Sequence, residues 1–140
     1  MRPLGDIEAR LDAIEAAGAA RDDAGEVLLL SEEVLEHWVA ARGEEPTAEL
    51  REGSRLLALH RQGCRELPSF NACRETCREL VYHYNLLGLD RDGEGDSAAK
   101  HARMMVLLAR HLFLFVTGKM QVGQLGEFCC SSRPLRQEAG

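Results

Sequence analysis

Cysteine carries most of the chemistry legible in this chain. Five occur in 140 residues, at positions 64, 73, 77, 129 and 130. Their number is odd, and acidic residues stand in the opening stretch where an export signal would need an apolar run. Together these predict reduced thiols in the cytoplasm rather than a secreted disulfide framework. Cys73 and Cys77 are four residues apart, so a helix places both on one face, about one turn apart. Such a pair can offer two thiolates to a thiophilic metal such as zinc. Packing is the competing reading, because free cysteine is among the most buried residue types and both positions fall on an apolar stripe. A disulfide within one helix is disfavoured, since the nearly parallel Cβ directions fit its torsion poorly.

Further ligands would have to come from other segments. Cys64 follows His60 by four residues, but Gly63 is an expected helix end between them. His83 lies about 120° and 80° around the helix from Cys77 and Cys73 and cannot easily join them. Cys129 and Cys130 reach the pair only if the tail folds back. The candidate metal set is therefore Cys73 and Cys77, supplemented by Cys64, Cys129 and Cys130, and the paired C-x-x-C pattern of a structural zinc site is absent. The vicinal Cys129 and Cys130 are also accessible to exchange or oxidation if they are exposed.

The other constellations are weaker. Asp90, Asp92 and Glu94 alternate as in a calcium-binding EF-hand loop, but the twelfth position is His101 instead of glutamate and the eighth is Ser97, so a solvated connection is expected. There is no phosphate-binding P-loop, no H-E-x-x-H and no G-x-S-x-G. None of the five histidines has glutamate three residues before it, which disfavours a carboxylate-bridged di-metal bundle. Glu33 and His37 are expected to form a solvated pair. His111 is expected at the solvent edge of its helix, and Tyr82, His83 and Asn85 in an outward polar patch.

Five helices would position these groups. The first is expected over about 6–17, with Ile7, Leu11 and Ile14 in one stripe and Gly18 behind it. A second runs over about 23–42, burying Val27, Leu30, Val34, Leu35 and Trp38 and ending at Gly43, with Glu32, Glu33, Glu36 and His37 largely opposite. Pro46 and Thr47 are expected to open the third, which ends near Gly63 and contains Gly53. The fourth starts at Ser69 or Asn71 and reaches Leu87, with Phe70, Cys73, Cys77, Leu80, Val81, Tyr84 and Leu87 recurring at intervals of three and four. The fifth is capped by Asp96 or Ser97 and continues to at least Thr117. Between Met104 and Val116 it is nearly apolar all round, which predicts a central helix surrounded by the others. Residues 119–124 read equally as helix or loop.

The expectation is an all-α fold: one domain over 1–140, an antiparallel bundle of four to five helices with an irregular C-terminal tail from about residue 118. The 45% apolar content suits a chain of this length burying its own core. Residues 1–70 hold 8 basic and 15 acidic groups, net −7, and residues 71–140 hold 9 and 8, net +1. Neither half shows a basic block, so nucleic acid is not the expected partner. The apolar run of the fifth helix contains Arg110 and His111 and is too short to cross about 30 Å of hydrocarbon, so no membrane insertion is expected.

The functional expectation is a small non-enzymatic accessory or protein-interaction bundle with a protein partner. The second helix is the candidate homodimer face, because Leu28, Leu29, Leu35 and Val39 widen its apolar arc. The alternative is a cysteine-based metal-binding or thiol redox-responsive protein.

Overall fold

Apolar residues at three- and four-residue intervals give the chain its helices, and glycines in the left-handed region end two of them. The computed structural model describes residues 1–89 and 95–126. Its helices are α1 (Leu4–Ala16), α2 (Ala24–Ala41), α3 (Leu56–Cys64), α4 (Asn71–Leu89) and α5 (Gly95–Gly123), and no strand occurs among the described residues. They form an all-α bundle. Leu4, Ile7, Leu11 and Ile14 are the buried stripe of α1. Gly18, at φ 82°, closes that helix: its own N–H bonds the Glu15 carbonyl, and the Ala19 N–H reaches back to Ile14 at 3.1 Å. Gly43 ends α2 in the same manner, with the Glu44 N–H reaching Val39 at 3.2 Å.

α5 packs against α1, α2 and α4, burying Ala102, Met105, Val106, Ala109, Leu112, Val116 and Met120. Residues 119–123 continue it as helix. The expectation that α5 is surrounded needs correction, because Met104, Leu107, His111 and Leu114 form an exposed stripe along it. An 18-residue window within 97–123 reaches a mean hydropathy of 1.3, so α5 is long and apolar enough by composition to cross a membrane; in the bundle 44% of that window is buried.

The third helix differs most from its expected form. Residues 44–55 are not helical, and α3 begins only at Leu56. Glu52 and Gly53 both have positive φ, 54° and 89°, and make a tight turn in which Arg51 and Ser54 exchange backbone hydrogen bonds. Polar anchors hold the loop down. The Arg55 N–H donates to Glu32 at 2.7 Å, its Nη2 to Glu36 at 2.7 Å, and its Nε to the Thr47 carbonyl at 3.0 Å.

This loop and the N-terminal segment together keep the acidic side of α2 from being a solvated face. Glu32 and Glu33 are buried. Glu33 pairs with Arg2 at 2.8 Å, and the His37 Nε2–H donates to the Arg2 carbonyl at 2.7 Å, so both members of the expected solvated pair bind the N-terminal segment instead. Burial raises the Glu32 carboxyl above the ordinary range, against the opposing pull of the Arg55 N–H and charge. The proposed dimer face on α2 is likewise corrected: Leu28, Leu35 and Val39 are core residues, and of the four only Leu29 is exposed.

Candidate functional site

The junction of α3 and α4 gathers the chemistry. Trp38 on α2 donates its Nε1–H to the Gly63 carbonyl at 2.7 Å, drawing the end of α3 onto α2. A Cβ at Gly63 would stand 2.7 Å from Trp38 Cδ1 and 2.9 Å from Val39 Cγ2, so only glycine permits this approach. Gly63 is therefore a packing residue inside α3 and does not end it. As a result His60 and Cys64 share one helix, and both are buried. Past Cys64 the chain turns sharply through Glu66, at φ 67°, and a single 3-10 turn at Pro68–Phe70 feeds α4.

Phe70 anchors that turn. Its ring lies 4.8 Å from Trp38 and 5.1 Å, edge-on, from Phe115 of α5. One turn further, Cys73 and Cys77 face inward at 2% and 0% exposure. Cys64, Cys73 and Cys77 are free, buried thiols, and His60 acts on Cys73. Cys77, by offering its S–H, lowers the Cys73 thiol below the ordinary range against the opposing effect of burial; His60 and His111 act in the same direction. Cys77 is correspondingly raised, by that same interaction and by burial. Burial also raises Cys64.

Cys73, Cys77 and Cys64 are thus brought together, while Cys129 and Cys130 lie outside the described residues, as do Asp90, Asp92 and Glu94 of the loop with calcium-site spacing. Among the described residues no group of three or more His, Cys, Asp or Glu side chains is placed to hold a metal ion. His111 faces solvent on α5. His83 meets His101 across α4 and α5 with their Nδ1 atoms 2.8 Å apart, and Tyr82 is exposed.

Outside the thiols, and sharing His60 and Cys64 as wall, opens a cleft of about 750 Å³. Its most numerous lining residue is arginine: 51, 61, 65, 74 and 78. Only Glu52 and Glu66 oppose them in the lining. Arg74 and Arg51 make loose surface pairs with Glu75 and Glu49, at 3.7 and 4.0 Å, whereas Arg61, Arg65 and Arg78 enter no ion pair with a described residue. This basic hollow in a chain of net charge −6 escapes a block-wise reading of charge. Of three Arg-x3-Arg intervals in the sequence, 51 to 55, 61 to 65 and 74 to 78, the last two lie wholly in the lining. Comparison with known protein families, with curated proteins and with solved structures finds no match to this chain.

Proposed function

We propose that this chain is a small non-enzymatic binding protein whose receptor surface is the arginine-lined cleft between α3 and α4, taking an anionic ligand or the acidic surface of a partner. One observation carries the reading: five guanidinium groups, three of them without an ion-pair partner among the described residues, ring a single concavity. Its volume falls within the roughly 300–1,000 Å³ of small-ligand sites. Arginine suits this role because its planar fork presents paired donors to carboxylate or phosphate and stays charged at every physiological pH. A binding role also fits the position of Cys73. Although a Cys–His neighbourhood is the raw material of a nucleophile, the sulfur is too enclosed for a substrate to approach.

Chemical-shift mapping by NMR tests the proposal. Titration with citrate, pyrophosphate and a hexaglutamate peptide should move amide signals around Arg61, Arg65, Arg74 and Arg78 for at least one of the three. Shifts confined to other helices, or none at all, would refute it.

A second reading is favoured by the three buried thiols and His60 standing together behind the cleft. On it, Cys73 responds to oxidation or to a thiophilic metal such as zinc, in a reducing compartment such as the cytoplasm. Elemental analysis of untagged protein purified without chelator is the test, and stoichiometric metal lost on replacing Cys73 and Cys77 would place this reading first.

A further inference from the structure

The basic groups of the cleft come from separate stretches of chain. Arg51 lies in the loop before α3, Arg61 on α3, Arg65 just past its end, and Arg74 and Arg78 one turn apart on α4. Holding like charges around one hollow works against compactness, and a multivalent anion would remove that repulsion. A further feature of the same cleft points to a ligand. Asn71, the first residue of α4, also lines the cleft, and no acidic side chain occupies the first turn of that helix. The positive end of the helix dipole is therefore not neutralised from within its own first turn.

We infer that the cleft binds a small, multiply phosphorylated molecule, its phosphate oxygens held by Arg61, Arg65, Arg74 and Arg78 beside the α4 N-terminus. The inference rests on the binding reading above and narrows it. Phosphate fits better than carboxylate because each phosphate concentrates up to two charges and three acceptor oxygens on one centre, matching several forked donors at once. A small molecule fits better than a polymer because the arginines ring one hollow and do not track along a face.

Isothermal titration calorimetry with sodium pyrophosphate at low ionic strength tests this. One saturable site is expected, weakened about tenfold by Arg61→Ala and again by Arg74→Ala, as loss of a charge-assisted hydrogen bond predicts. Arg78→Ala should weaken it too, whereas Arg103→Ala, on α5 and away from the cleft, should not. Circular dichroism checks that each variant folds. Should Arg74→Ala fail to fold, Arg74→Lys keeps the charge, loses the fork, and should still weaken binding several-fold. Citrate at matched charge should bind at least tenfold more weakly than pyrophosphate. If citrate or hexaglutamate binds as well as pyrophosphate, the phosphate inference fails while the binding reading stands. Tighter binding of a singly phosphorylated serine peptide than of pyrophosphate overturns the small-molecule assignment. If none of these probes binds, both the inference and the binding reading fail.

Discussion

Cys73 and Cys77 illustrate how far a residue's neighbours decide its chemistry. Both are buried on the same helix face, yet the S–H offered by Cys77 favours ionisation of Cys73 and disfavours its own. Burial predicts that both label slowly with an alkylating reagent in the native protein, Cys73 faster than Cys77. Cys77→Ala should move the pH profile of Cys73 labelling to higher pH and cost about 1 kcal/mol or more through lost burial. A profile unchanged in the variant, followed by mass spectrometry, would contradict the interaction. The His83–His101 contact makes a second prediction. His83 is lowered from 6.5, first by burial and then by the charge of His101, with Glu79 opposing. The folded protein therefore takes up this proton less readily than the unfolded chain, so stability should be unaffected well above pH 6.5 and fall as pH drops below it. Urea midpoints measured from pH 8 to pH 5 should show the decline, and His83→Gln should flatten it.

At the scale of elements, α3 is the most exacting piece. Gly63→Ala should cost roughly 1–3 kcal/mol, because Trp38 or Val39 must shift to admit a methyl group into a filled space. An unfolding midpoint equal to that of the parent would contradict the close approach. The spacing of α1, α2, α4 and α5 was legible because each has an apolar stripe that burial rewards regardless of neighbours. The start of α3 was not. Residues 47–55 have helix-compatible composition, but two consecutive positive φ angles at Glu52 and Gly53, and the hold of the α2 carboxylates on Arg55, override it. For the site, the Cys73 and Cys77 spacing was readable, and their convergence with Cys64 was obscured because Gly63 reads as a terminator and acts as a packing residue. The arginine cleft depends on a turn between two helices that no local pattern announces.

For the whole molecule, the decisive feature is that one continuous apolar cluster draws on all five helices, from Leu4 in α1 to Met120 in α5. No element has a core of its own to retain once another leaves. Thermal unfolding should therefore be a single transition with calorimetric and van't Hoff enthalpies in agreement, near 100 kcal/mol at about 0.7 kcal/mol per residue. A van't Hoff value well below the calorimetric one would show that α3 and its loop come away first, and would break this description. α5 explains the cooperativity, since it contacts α1, α2 and α4.

Trp38 gives the molecule a property beyond packing. It is the sole tryptophan of the chain, its indole N–H is bound to the backbone between His60 and Cys64, and its ring lies against Phe70, the neighbour of Asn71. The one strong intrinsic fluorophore thus sits behind the cleft, tied to both walls. Any occupant that shifts the end of α3 by even a fraction of an ångström should change the emission colour and quenching of this single indole, so the protein carries a label-free optical reporter of its own binding surface.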